Sequence, residues 1–189
     1  MADGHLGIWA AFGEMHPTGT EQRCWNHKIA NVLNDLPKTV QRQAAERLKA
    51  MPYAEPQGEC ERRRDAFVRT YHKTDKKAVE TLLRDGDRMV TFYAFPREHW
   101  RHLRTTTIVE SPFSAVRLRT DASRRYKRVA GATAIIWKML RVAEQAWRTL
   151  NASELLPLVA SGMTFKDGIA LKSGHERNHL DHQPERTAA

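Results

Sequence analysis

HWRHLRTTTIVESPFSAVRLRT, residues 99–120, is the stretch whose reading decides the fold. A single acid, Glu110, stands in the otherwise uncharged run TTTIVESPF, with arginines before it at 101 and 104 and after it at 117 and 119. Ser111 and Pro112 predict a helix start, serine as N-cap and proline in the first turn, where an absent N–H costs nothing. An acid beside a helix start is favoured by the helix dipole, so Glu110 taken alone fits a structural role as well as a chemical one. The same ambiguity attaches to Asp3 in ADGHLGIWAAF (2–12): it ends a short extended segment ahead of a helix start and serves equally as a capping residue. A third stretch, EQRCWNHKIANVL (21–33), sets Cys24 and His27 three positions apart. That spacing suits half of a zinc site, but tetrahedral zinc needs four donors and no second pair stands out. A buried thiol with a hydrogen-bonded histidine is the plainer reading.

Outward from these stretches, apolar spacing predicts a helix from His5 to Met15, stopped by Pro17, then a short strand over Thr20–Trp25 and a helix from about Asn26 to near Pro37. Helix, strand, helix is the order of an α/β edge. From Lys38 to Trp100 the pattern turns helical and polar, with MPYAEPQGE (51–59) as the clearest break. Apolar residues at 132, 135, 136, 139, 140, 143, 146, 147 and 150 follow a 3.6-residue period and predict a helix over Ala132–Leu150. Trp9, Trp137 and Trp147 fall on apolar helix faces and are expected in the core, whereas Trp25 and Trp100 flank the motifs and are candidates to line a nucleic-acid channel. A short helix is expected over Ser153–Ala160, before Gly162. The polar tail from Ser173 is expected to be unstructured, and its His175, His179, Asp181 and His182 have no core to hold them as a metal site.

Composition narrows the partners. Lys and Arg number 31 against 22 Asp and Glu, a net charge of +9, which points to a polyanion and to nucleic acid first. Nine basic residues against three acids lie between Arg97 and Arg128. Such a run is often no more than a solvated face; its position around Glu110 favours a ligand. The longest apolar runs fall far short of the roughly 20 residues a membrane span requires, and MADGHLG lacks a signal pattern, so a cytoplasmic protein is expected. Two cysteines, Cys24 and Cys60, make no disulfide framework and fit a reducing compartment.

Taken together and in order, the three stretches resemble the Mutator-type family of bacterial insertion-sequence transposases. Asp3, Gly4, His5 and Gly7 match its Asp-Gly-His-x-Gly segment; Gln22, Arg23, Cys24 and His27 match its Gln-Arg-Cys-x-x-His signature; Arg104, Thr105, Thr106, Glu110, Arg117, Arg119 and Thr120 match the segment that carries the glutamate. The likeness runs from residue 2 to about Ile169. It implies an α/β, partial RNase H-like catalytic domain, predominantly helical in this chain. Residues 1–36 would carry the second catalytic aspartate, 37–100 a helical insertion, 101–172 the helices with the catalytic glutamate, and 173–189 the tail. It implies DDE-type DNA cleavage and strand transfer, with Asp3 and Glu110 as ligands of Mg²⁺ or Mn²⁺. DNA, at the element's ends and at its target, would be the partner, with self-association or association with full-length transposase.

The chemistry is consistent with that assignment. In-line attack on a phosphodiester is assisted by two divalent ions roughly 4 Å apart, and hard ions prefer carboxylate oxygens. Arg104, Arg117, Arg119, Arg124 and Arg125 then read as phosphate contacts that supply affinity with little sequence information. Two departures stand out. The family's first catalytic aspartate lies tens of residues before the second, and only Met1 and Ala2 precede Asp3 here, so the chain by itself is expected to be inactive. Thr107 and Ile108 replace the family's usual Asn-Pro before the glutamate, and isoleucine offers no amide to position it.

Overall fold

The computed structural model describes residues 1–171 apart from 124 and 148. The tail from Ser173, with its histidines, lies outside the described residues, as does Arg124. The described chain is mostly helical: α1 (Leu6–Met15), α2 (Trp25–Asn34), α3 (Lys38–Ala50), α4 (Gln57–Tyr71), α5 (Lys76–Leu83), α6 (Gly86–Met89), α7 (Trp100–Leu103), α8 (Thr107–Ala122), α9 (Val129–Glu144) and α10 (Leu156–Ala160). A two-stranded antiparallel hairpin, β1 (Phe165–Lys166) and β2 (Ile169–Ala170), follows.

One core runs from α2 through α7. On α2 the buried positions are 25, 28, 29 and 32, one face of a 3.6-residue helix. Against it pack Ala44 and Leu48 of α3, Cys60, Phe67 and Tyr71 of α4, and Ala78, Val79 and Leu82 of α5. Trp100 closes the cluster, edge-on to Phe92 and Tyr93 with ring centroids 5.4 and 4.9 Å away. Such T-shaped contacts suit the ring quadrupoles. Trp100 and Trp25 are therefore core residues rather than channel walls, 2% and 3% exposed.

The hairpin is fastened to this core. Asp167 and Gly168 have φ of 50° and 82°, the left-handed pair of a two-residue turn that matches the twist of its strands. The Gly168 amide donates to the Tyr93 carbonyl (3.1 Å), and the Gln57 amide to the Asp167 carboxylate (2.7 Å). Asp-Gly inside FKDGIA is the sequence signal for this hairpin, and it lies beyond the helices expected from apolar period.

Three local expectations are corrected. The strand over Thr20–Trp25 shrinks to a single parallel bridge between Ala2 and Arg23, because Gly4, at φ +97°, turns the chain away two residues later. Helix α8 starts at Thr107 with Thr106 as N-cap, not at Ser111, and Pro112 lies inside it. The earlier start follows from a tertiary anchor: Thr106 is buried, and its carbonyl accepts the Glu110 amide at 3.0 Å. Helix α9 forms on its expected apolar period but ends at Glu144, leaving Trp147 and Leu150 beyond it, and it buries no residue. Trp137 and Trp147, expected in the core, are 63% and 57% exposed, while Trp9 is buried as expected. No helix among the described residues is long and apolar enough to cross a membrane.

Candidate active site

Backbone pairing brings the three motif stretches together at Cys24. The Ala2 amide donates to the Gln22 carbonyl (3.0 Å) and the Cys24 amide to the Ala2 carbonyl (2.8 Å), which sets Asp3 beside Cys24. One residue on, the Trp25 amide donates to the Arg104 carbonyl at 2.9 Å, drawing the Thr105–Glu110 stretch to the start of α2. The Thr106 amide then donates to Cys24 Sγ at 3.3 Å, and the Thr106 hydroxyl lies 3.2 Å from the same sulfur.

Asp3 is exposed, and its Oδ1 accepts the His5 amide at 3.0 Å. His5, not Asp3, is the N-cap of α1, its Nδ1 accepting the Gly7 amide. Glycine suits the turn at position 4 because its φ is +97°, a conformation other residues rarely adopt, and the Arg23 guanidinium packs against its bare Cα. Arg23 is buried and pairs with Asp85 at 3.6 Å, so the Asp3 loop rests on a guanidinium held from the helical lobe. Asp85 also meets Lys28 Nζ at 3.5 Å, and Lys28 donates to the carbonyls of Thr81 and Arg84 at the end of α5.

His27 stands one turn into α2, with Nδ1 3.3 Å from Thr106 Oγ1 and 3.7 Å from Glu110 Oε1. Its pKa is raised, first by a hydrogen bond with Cys24 and, against the opposing effect of burial, by the negative charges of Cys24, Glu110 and Asp3. Glu110 thus stands beside His27, and the pairing of Ala2 with Cys24 carries the Asp3 stretch toward the same end of α2. The Cys24 thiol is fully buried, which raises its pKa, but hydrogen bonds from Thr106 and His27 outweigh burial and lower it. Glu110 sits in the first turn of α8, where the helix dipole favours its charge, and its side chain remains half exposed. At the substituted position beside it, the Thr107 hydroxyl accepts from the Asn26 amide group at 3.2 Å.

Carboxylate and imidazole side chains such as Glu110 and His27, 3.7 Å apart, suit a divalent ion in kind. They fall short in number: among the described residues no group of three or more His, Cys, Asp or Glu side chains is placed to hold a metal ion. The basic residues divide. Arg117, Arg119 and Arg125 are exposed, and among the described residues none of them forms an ion pair. Arg104 instead lies over the rings of Tyr53, Phe92 and Trp100, 4.9 to 5.5 Å from their centroids. Sequence reasoning passed over Lys28 and Asp85; the available signal was a lysine inside the apolar stripe of α2.

Residues 1–149 match the family model described as "Transposase, Mutator family". Over 169 residues the chain is 40% identical to the transposase for insertion sequence element IST2 of Acidithiobacillus ferrooxidans, covering 89% of this chain and 57% of that protein. Over 172 residues it is 39% identical to the transposase for insertion sequence element IS6120 of Mycolicibacterium smegmatis, covering 91% and 53%. A more distant relative, the transposase for ISRM5 of Rhizobium meliloti, is 22% identical over 151 residues, covering 80% and 38%. This chain belongs to the Mutator family of transposases. It spans about half the length of the curated relatives it matches.

Proposed function

We propose that the chain carries part of a DDE-type centre for DNA cleavage and strand transfer, used in transposition of an insertion sequence. Asp3 and Glu110 are two of its metal-ligating carboxylates, and the surrounding segments belong to an RNase H-like domain. The backbone pairing that draws the stretches of Asp3, of Cys24 and His27, and of Glu110 together, with Glu110 3.7 Å from His27, is the observation that supports this reading. A divalent ion, Mg²⁺ or Mn²⁺, would supply charge to the attacking and leaving oxygens. The chain's own side chains do the rest: Arg117, Arg119 and Arg125 hold backbone phosphates, and Thr106 holds the Glu110 carboxylate in place. Two carboxylates are one short of a DDE set, so the 189-residue chain alone binds DNA without cutting it.

Plasmid nicking tests the inactivity directly. Supercoiled DNA incubated with the chain and Mg²⁺ or Mn²⁺ is expected to stay intact. Robust nicking that disappears in Glu110→Gln would overturn that expectation.

A second reading, a DNA-binding or assembly-modulating protein without catalysis that acts through the basic segment, is favoured by the exposed arginines of α8 and its flank. Gel shifts at graded salt separate the two readings. Arg117→Ala, Arg119→Ala and Arg125→Ala together should weaken binding and flatten the salt slope by about 3, one for each lost phosphate contact. Glu110→Gln should leave that slope alone. An unaltered slope in the triple variant removes these residues from the DNA contact.

A further inference from the structure

Thr106 does more in this cluster than cap a helix. It is buried, yet its hydroxyl meets three side chains of the cluster: Cys24 Sγ at 3.2 Å, His27 Nδ1 at 3.3 Å, and Glu110 Oε1, to which it hydrogen-bonds. A hydroxyl has one proton and two lone pairs, and an ionised carboxylate only accepts. With one proton to give, the hydroxyl serves the Glu110 carboxylate, while the Thr106 amide serves Cys24 Sγ. Thr106 is the sole hydrogen-bond donor to the Glu110 carboxylate among the described residues. Glu110 is half exposed, and a long side chain in that setting samples several rotamers unless one contact selects among them.

The hydroxyl can make that selection because its backbone is fixed from below. The Thr106 amide donates to Cys24 Sγ at 3.3 Å, and Cys24 is itself completely buried and tied to the Ala2 carbonyl. We propose that Thr106 is a positioning residue for Glu110, and that the cysteine of the Cys-x-x-His pair is the buried anchor that fixes Thr106 rather than half of a metal site. The functional weight of this rests on reading Glu110 as an active-site carboxylate; the positioning itself does not.

Carbon-13 NMR of the 189-residue chain, labelled at glutamate carboxyl carbons, separates the two claims. The Glu110 signal is assigned by its loss in Glu110→Gln. Thr106→Val keeps the shape and removes the hydroxyl; Thr106→Ser keeps the hydroxyl. At fixed pH the Glu110 signal should move or broaden in Thr106→Val and in Cys24→Ala, and stay in place in Thr106→Ser, with backbone amide signals away from the cluster unchanged. Mn²⁺ affinity, followed by water proton relaxation, should fall about 10-fold in Thr106→Val, the scale of an outer-shell substitution. A Glu110 signal indifferent to Thr106→Val overturns the proposal, and so does an equal disturbance by Ser and Val. If Thr106→Val loses its fold by circular dichroism, Thr106→Ala supplies the hydroxyl-free comparison. Mn²⁺ binding that ignores Glu110→Gln would remove the metal reading while leaving the NMR result to decide the positioning.

Discussion

Helices α2 and α9 rest on the same kind of sequence pattern and meet opposite fates. Both carry apolar residues at helical spacing and both form. Helix α2 buries Trp25, Lys28, Ile29 and Val32 in a core shared with α3, α4 and α5, whereas α9 packs beside α8 and buries nothing. Periodicity selects a helix and the face that would be buried; burial itself requires a second surface, and only the lobe around α2 supplies one. At about 25 cal/mol for each Å² of apolar surface removed from water, the lobe must carry nearly all of the stability. Phe67→Ala, at a fully buried position, should therefore cost about 3–5 kcal/mol in guanidinium unfolding. A loss below about 1 kcal/mol would mean that the lobe is not the cooperative unit described.

Lys28 sharpens the contrast, because a charge is tolerated in the lobe only with full pairing. Its ammonium is buried and donates to Thr81 and Arg84 carbonyls beside Asp85. Lys28→Met leaves those carbonyls unpaired while Asp85 keeps Arg23 and Arg88, so a loss of about 2–3 kcal/mol is expected. The sign of the pH dependence is fixed as well. Burial, and then the neighbouring Arg23 charge, pushes the Lys28 pKa from 10.5 to about 8 against the pull of Asp85. Between those values the unfolded chain binds the proton and the folded one does not, so Lys28 makes stability rise with pH across that window. Chemical denaturation of wild type and Lys28→Met at pH 7.5, 9 and 10 measures it; a wild-type contribution that falls with pH contradicts the burial.

The hairpin tests whether the lobe's rigidity extends past its helices. Gly168 has φ 82°, and a Cβ there would sit 2.7 Å from Arg97 Cβ and 3.0 Å from Trp100. Gly168→Ala should cost about 1–3 kcal/mol through backbone strain and that clash. A neutral result in thermal unfolding would show that the hairpin is not fastened to the lobe.

How much of this could be read from the sequence follows the same division. The helical character of the lobe was legible from its polar helical stretches and from the prolines at 52 and 56, which mark the break between α3 and α4, whereas the division of residues 76–95 into α5 and α6 was not. That the stretches carrying Asp3 and Glu110 are drawn toward Cys24 was suggested only by the resemblance, since nothing local says that segments so far apart in sequence pack at one place. The start of α8 was misread for a physical reason: proline preference in a first turn is a weak local signal, and burial of Thr106 under Cys24 overrides it. The role of Thr106 was invisible for the same reason, because one hydroxyl reaching three side chains is a product of tertiary packing. Trp100 was misassigned because an aromatic beside a motif gives no sign of which side of the backbone the core lies on.

Trp137→Ala is the smallest effect and the most direct test of the α9 half of the contrast. A tryptophan truncated in a packed core costs about 3–5 kcal/mol; one that is 63% exposed on a helix has surrendered little water-excluded surface and should cost no more than about 0.5 kcal/mol. Alanine also has the higher helix propensity, which offsets part of even that loss. Indole fluorescence is a poor monitor because Trp9, Trp25, Trp100 and Trp147 are also present, so the comparison belongs in far-UV circular dichroism of wild type and variant under guanidinium. Coincident midpoints support the exposed face. A lowered midpoint with an unchanged slope means that Trp137 is buried in the folded state in solution, and the difference between α2 and α9 then becomes one of partner rather than of burial.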